Sequence, residues 1–100
     1  MRAYDIKRGH FSSLEGDGLQ ELMKKHFGNV RKEGEHWVST YGAIRTLRVK
    51  LDGKTKLLAE TEMNSNVDDK TAQETIKRYN QFLFEATGFT AKERKKRFSK

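Results

Sequence analysis

The basic side chains are the residues of this sequence whose number and spacing point most clearly to chemistry. Lys and Arg number 21 against 14 Asp and Glu, so the chain carries a formal net charge of +7. Six of these bases and one acid fall between Lys92 and Lys100, which concentrates the excess at one end. Such asymmetry is typical of proteins that bind a polyanion, most often nucleic acid.

The basic residues form three candidate groups, and long cationic side chains in such groups can contact phosphate oxygens. The nucleic-acid-binding residues that we predict are Lys7 and Arg8 near the first strand, Arg48, Lys50 and Lys56 on a sheet face, and Lys92, Arg94, Lys95, Lys96 and Arg97 on the last helix. Two simpler interpretations stay open. Glu60 and Glu62 could neutralise the sheet face, and cations at a helix end could merely stabilise the helix dipole.

Catalytic and metal-binding chemistry finds little support. The three histidines, His10, His26 and His36, do not form a zinc motif, and His26 falls on the apolar side of a predicted helix. The acid pairs Asp68-Asp69 and Glu60-Glu62 are explained by helix capping and by the surface of a sheet. We therefore predict no enzyme activity, no cofactor and no metal.

Hydrophobic periodicity predicts the elements that must position these residues. We predict strands over 3–8, 30–33, 36–41, 44–51 and 54–63, and helices over 18–27, from 68 or 69 to 87, and 91–98. Asp17 with Gln20, and Thr90 with Glu93, have the spacing of capping boxes. The order β-α-β-β-β-β-α-α predicts an α+β two-layer sandwich, with an antiparallel sheet and the helices on one face.

One predicted hairpin fixes the core face of the sheet. A three-residue loop with a bulge at Gly53 sets odd positions opposite odd positions, so that Leu47, Val49 and Leu51 meet Leu57 and Ala59. Trp37 and Tyr41 share one strand face, which we expect to be core; if exposed, they would favour single-strand or RNA binding. The predicted core comprises Leu19, Leu22, Phe27, Leu47, Val49, Leu57, Ile76, Tyr79 and Leu83.

Length and composition limit the remaining possibilities. With 100 residues and no cysteine, we expect a single domain over 1–98, with 99–100 as a frayed end, and no disulfide or thiolate site. No apolar run approaches the roughly 20 residues that a bilayer requires, and the N-terminus does not resemble a signal peptide. We therefore expect a soluble cytoplasmic protein without a membrane partner.

Three segments carry a resemblance to a known family: 4–10 (YDIKRGH), 39–43 (STYGA) and 85–94 (EATGFTAKER). They resemble an orphan family of archaeal proteins of about this length and uncharacterised function, over essentially the whole chain. The resemblance implies a fold similar to that of the TATA-binding protein with an added C-terminal helix. It also implies a positive surface patch and DNA binding, and it carries no catalytic residue.

Two hypotheses follow. The first is a small basic protein that binds nucleic acid, with duplex DNA favoured over RNA, through phosphate contacts and with little sequence preference. The alternative is a protein-interaction module that docks an acidic protein partner by its sheet edge or basic helix. A binder of small phosphate ligands is disfavoured, because the chain has no glycine-rich cradle.

Overall fold

The element order β-α-β-β-β-β-α-α is confirmed, with one added 3₁₀ turn. The structure, a computed structural model, describes residues 2–53 and 55–98, and the side chains of 97 and 98 lie outside that description. The elements are β1 (Arg2–Asp5), the 3₁₀ turn (Phe11–Ser13), α1 (Gly18–Phe27), β2 (Arg31–Glu33), β3 (His36–Tyr41), β4 (Ile44–Asp52), β5 (Lys56–Met63), α2 (Asp69–Thr87) and α3 (Ala91–Phe98). The predicted frayed end, 99–100, lies outside the described residues.

The five strands of the described residues join one antiparallel sheet in the order β1-β5-β4-β3-β2. The strand that opens the chain therefore pairs with β5 and forms one edge of the sheet, while β2 forms the other. The helices pack on one face of the sheet around a shared core, which confirms the two-layer sandwich. None of the described helices is long and apolar enough to cross a membrane.

The β4–β5 hairpin has the predicted register. Leu51 pairs with Leu57 and Val49 pairs with Ala59, so odd positions face odd positions. Gly53 takes a φ of 67°, a left-handed conformation that suits glycine at a three-residue hairpin loop. The loop thus decides which side chains of both strands enter the core.

Trp37 and Tyr41 lie on the core face, as expected. Both are partly buried against the core, and the Tyr41 ring lies 5.8 Å from the Phe27 ring. The chain therefore offers no aromatic stacking platform from these two residues on the outer face of the sheet.

The buried stripe of α2 differs from the prediction at one position. Ile76 is 52% exposed, so its assignment to the core is wrong, whereas Thr75 is 1% exposed. The Thr75 hydroxyl accepts a hydrogen bond from the Ala43 N–H (2.9 Å) and donates one to the Thr71 carbonyl (2.7 Å). Because a buried amide without a partner costs free energy, the helix turns its threonine inward and Ile76 faces out.

The remaining core prediction holds with two partial exceptions. Leu19, Phe27, Leu47, Val49, Leu57 and Leu83 are buried, while Leu22 and Tyr79 are partly buried against them. The capping box predicted for α1 is wrong, because the Asp17 side chain makes no capping hydrogen bond. Instead, α1 follows directly on the turn after the 3₁₀ segment.

Candidate nucleic-acid interface

The cations predicted on the sheet face lie there, and each has a carboxylate partner. Arg48 Nη2 is 3.8 Å from Glu33 Oε1, Lys50 Nζ is 3.1 Å from Glu35 Oε2, and Lys56 pairs with Asp5. These are three separate ion pairs across neighbouring strands and turns. The positive charge of this face is therefore compensated locally.

The sequence suggested Glu60 and Glu62 as the compensating acids, and the structure uses them differently. Glu60 stands opposite Arg48 in the β4–β5 register, but Glu62 pairs with Arg45 at 3.3 Å. The acids that contact Arg48 and Lys50 come from the β2 strand and its turn instead. The outer face of the sheet is thus a mixed surface in which bases alternate with acids.

The last helix has the capping box that its sequence predicts. The Thr90 N–H donates to Glu93 Oε1 (3.0 Å), and the Glu93 N–H donates to Thr90 Oγ1 (3.2 Å). Gly88 ends α2 with a φ of 81°, and only three residues separate the two helices. The cations of α3 therefore project from a helix with a fixed start.

Arg94 turns inward, away from the solvent-exposed side of α3. Its side chain is buried, with a residue exposure of 6%. Nη1 donates to the Phe89 carbonyl (2.6 Å), Nη2 donates to Asn80 Oδ1 (2.9 Å), and the guanidinium lies 6.0 Å from the Tyr4 ring. Arg94 therefore docks α3 onto α2 and β1.

The three lysines of α3 face solvent. Lys92 and Lys96 are exposed and make no ion pair with any described residue. Lys95 is also exposed, and it takes part in a further interaction within the protein. The Arg97 side chain, predicted to bind with them, lies outside the described residues.

Lys7 and Arg8 are exposed beside the junction of α2 and α3. The Lys7 N–H donates to the Thr87 carbonyl (2.7 Å), so the loop after β1 runs along the end of α2. A Cβ added to Gly88 would lie 2.9 Å from the Lys7 Cβ, which shows how closely the two segments pack. The structure therefore brings the first and third predicted groups to one end of the sandwich.

A small open pocket lies where β1, α2 and α3 meet, and we call it the β1–α3 pocket. It has a volume of about 340 Å³, and its polar lining comprises Arg2, Tyr4, Tyr79, Asn80, Arg94 and Lys95. None of the described residues that line it is acidic. Arg2 was not among the predicted site residues, because its place beside α3 depends on the non-sequential pairing of β1 with β5.

Burial changes the acidity of two groups in this pocket. It raises the pKa of the Tyr79 hydroxyl well above its ordinary value, and the neighbouring Tyr4 adds to that effect. It also lowers the pKa of the Arg94 guanidinium from its ordinary value. The Tyr79 hydroxyl is therefore protonated at neutral pH and can donate a hydrogen bond.

His26 and Glu85 form a contact that the sequence did not reveal. The buried His26 Nε2 meets Glu85 Oε2, and Lys25 Nζ lies 3.1 Å from Glu85 Oε1. The hydrogen bond from His26 is the main cause of a lowered pKa at Glu85. His26 thus joins α1 to α2, which fits the expectation that it is packed.

No cluster of three or more potential metal ligands occurs among the described residues.

The comparisons with known proteins agree with the fold and leave the activity open. A solved structure, the NMR solution structure of hypothetical protein TA0095 from Thermoplasma acidophilum, has 28% sequence identity and a TM-score of 0.65. The similarity covers 100% of this chain and 99% of that one. No curated protein matches the chain. A family model matches residues 1–100, and the chain therefore belongs to the family described as Domain of unknown function (DUF5611).

Proposed function

We propose that the protein is a small nucleic-acid-binding protein that contacts the phosphates of duplex DNA with little sequence preference. The observation that carries the proposal is the contrast between two groups of lysines. Lys92 and Lys96 on α3 are exposed and unpaired among the described residues, whereas Lys50 and Lys56 on the sheet each contact a carboxylate. Unpaired cations attract a polyanion more strongly than compensated ones.

The binding surface in this proposal is the end of the sandwich that carries α3. Lys92 and Lys96 supply phosphate contacts from the helix, and Lys7 and Arg8 extend the surface along the loop beside it. Arg94 is a positioning residue beneath this surface, because its hydrogen bond to Asn80 holds the helix on α2 and its guanidinium lies 6.0 Å from the Tyr4 ring of β1. Arg48, Lys50 and Lys56 contribute less than the sequence suggested.

Affinity on this surface comes from charge and not from base recognition. Lysines contact phosphates as point charges and release counterions from the duplex. Among residues 91–96 of α3, whose side chains are described, the exposed face is mainly lysine and has no arrangement typical of a base-reading element. In this proposal the protein acts in the cytoplasm and without catalysis.

We also infer a relationship to the TATA-binding-protein fold. The resemblance in the sequence implies it, and an antiparallel sheet with helices on one face supports it. The described strands contain no phenylalanine, and their aromatic residues Tyr4, Trp37 and Tyr41 pack in or against the core, so the described outer face of the sheet carries no aromatic wedge with which to kink a minor groove. DNA binding through α3 would therefore differ from binding through the sheet.

Matched double variants test the proposed surface. Fluorescence anisotropy would measure the binding of a random-sequence duplex at several salt concentrations. We expect Lys92→Gln with Lys96→Gln to weaken binding and to flatten the slope of log K against log salt by about 0.9 for each lost contact. Lys50→Gln with Lys56→Gln removes the same charge from the sheet and should change the slope little.

The reverse result would assign binding to the sheet. If the α3 variant binds as tightly as the native protein and with the same salt slope, α3 is not the contact surface. If the native protein does not bind duplex DNA even at low salt, the proposed function is wrong. Circular dichroism of each variant confirms that the helices are retained.

A second candidate function, docking of a protein partner, is favoured by exposed apolar residues beside α3. Ile76 is 52% exposed and Phe84 is 49% exposed, and both line a groove of about 540 Å³ that includes Lys77. An acidic partner with an apolar side could fill this groove. Such binding would survive high salt and be lost in Ile76→Ser with Phe84→Ser, whereas DNA binding would show the opposite pattern.

A further inference from the structure

The β1–α3 pocket contains a buried cation whose charge no described carboxylate compensates. The Arg94 guanidinium is held by a backbone carbonyl and by the side-chain amide of Asn80, both of which are neutral acceptors. No ion pair joins it to any described acid. Burying a charge without an opposite charge is unfavourable, so an anion at this place would gain from the site's own electrostatics.

Two further cations and two tyrosines line the same space. Arg2 belongs to β1 and Lys95 to α3, while Tyr4 and Tyr79 share a side-chain hydrogen bond. Hydrogen-bond donors and positive charge thus converge from three elements. Glu60 lies in an adjoining depression of about 300 Å³ that shares Arg2, Tyr4 and Tyr79, but it lines no part of the pocket around Arg94.

We propose that the β1–α3 pocket binds a single phosphate group, with Arg94 and Lys95 as its cationic partners and Arg2 at its rim. Tetrahedral oxyanions suit a site in which donors approach from several directions, and arginine binds phosphate oxygens especially well. The volume of about 340 Å³ lies at the lower end of the range for small-molecule sites, which favours a phosphate with a small substituent over a large cofactor.

The phosphate could belong to a nucleic acid or to a small metabolite, and the pocket chemistry is the same for both. We assign it to nucleic acid, an assignment that rests on the proposed function. The pocket opens beside Lys95, on the helix whose exposed lysines form the proposed DNA surface. A backbone or terminal phosphate seated there would hold the strand against α3.

NMR titration with inorganic phosphate tests the pocket directly. Saturable shifts are expected at the Arg94 side chain and at the Tyr4 and Tyr79 rings, and sodium chloride at equal ionic strength should not produce them. Asn80→Asp keeps the hydrogen bond to Arg94 and adds a negative charge, so we expect it to weaken phosphate binding by about tenfold or more. Lys95→Gln should weaken binding by about tenfold, and Lys24→Gln, which removes the same charge from an exposed position on α1, should have little effect.

The source of the phosphate is tested with three ligands: inorganic phosphate, a nucleoside 5′-monophosphate, and a duplex with or without 5′-phosphates. If phosphate gives no saturable shifts, or if Asn80→Asp binds it as the native protein does, the pocket inference is overturned. If phosphate binds but Lys95→Gln binds the duplex normally, the assignment to nucleic acid is wrong. If the native protein binds inorganic phosphate and the nucleoside monophosphate but not the duplex, the proposed function is wrong and the phosphate pocket stands.

Discussion

Asn80 Oδ1 lies 2.9 Å from Arg94 Nη2, and this contact ties α3 to the middle of α2. Arg94 reaches it from 14 residues along the chain, across the turn at Gly88. The same guanidinium also holds the Phe89 carbonyl at 2.6 Å. A single buried side chain therefore holds the basic helix to both α2 and the turn that precedes it.

Removal of the Asn80 amide should loosen that attachment. In Asn80→Ala, one donor of the buried Arg94 guanidinium loses its acceptor, which is expected to cost about 1–3 kcal/mol. Asn80→Asp retains an acceptor and adds an opposite charge, so its free energy of unfolding should equal or exceed that of the native protein. Urea denaturation followed by circular dichroism measures both; equal stability of the alanine variant and the native protein would contradict the role given to this contact.

The capping box should govern the local stability of α3. Thr90→Ala removes the hydroxyl that accepts the Glu93 N–H, at an expected cost of about 1 kcal/mol to the helix. Glu93→Gln keeps a side-chain oxygen for the Thr90 N–H and serves as the control. Amide hydrogen exchange within α3 should accelerate in the first variant and change little in the second. Similar exchange rates in both would show that docking, not capping, holds the helix.

Two apolar residues of α2 were predicted to lie in the core, but only Leu83 is buried there and Ile76 is exposed. Leu83→Ala should destabilise the protein by about 2–5 kcal/mol, because Leu83 is 2% exposed. Ile76→Ala should change the free energy of unfolding by no more than about 0.5 kcal/mol, because half of the side chain already meets solvent. Chemical denaturation of the pair checks this; a large loss at Ile76 would restore the predicted stripe.

The sequence was sufficient for the sheet because local rules and the long-range pattern agree there. Gly53 sets the hairpin register, and the alternation at Leu47, Val49 and Leu51 leaves one face for the core. On α2 the rules conflict. Hydropathy places Ile76 inside, but the orphan amide of Ala43 requires the Thr75 hydroxyl, and that requirement depends on a contact 32 residues away.

The sequence predicted which residue types form the candidate site, but not which acids pair with its cations. That Lys92 and Lys96 lie on a capped helix follows from sequence spacing. The ion pairs of Arg48 with Glu33 and of Lys50 with Glu35 depend on which strands become neighbours. The charge pattern predicted that Arg94 would be exposed on the surface. In the structure it is buried, because its guanidinium donates hydrogen bonds to the Phe89 carbonyl and the Asn80 side chain.

The contact between His26 and Glu85 should appear in the dependence of stability on pH. The Glu85 pKa is lowered from its ordinary value of 4.5, chiefly by the hydrogen bond with His26 and then by the bond with Lys25. A carboxyl group whose pKa is lower in the folded state stabilises the protein above the unfolded value. That contribution disappears as the pH falls through the folded value.

Glu85→Gln should therefore flatten the loss of stability in acid, between about pH 5 and pH 3, relative to the native protein. Urea denaturation at a series of pH values measures the free energy of unfolding across this window. Glu15 is exposed and its side chain makes no ion pair with a described residue, so Glu15→Gln is the matched control and should keep the native profile. If Glu85→Gln and Glu15→Gln lose stability equally as the pH falls, the His26–Glu85 contact does not link α1 to α2 energetically.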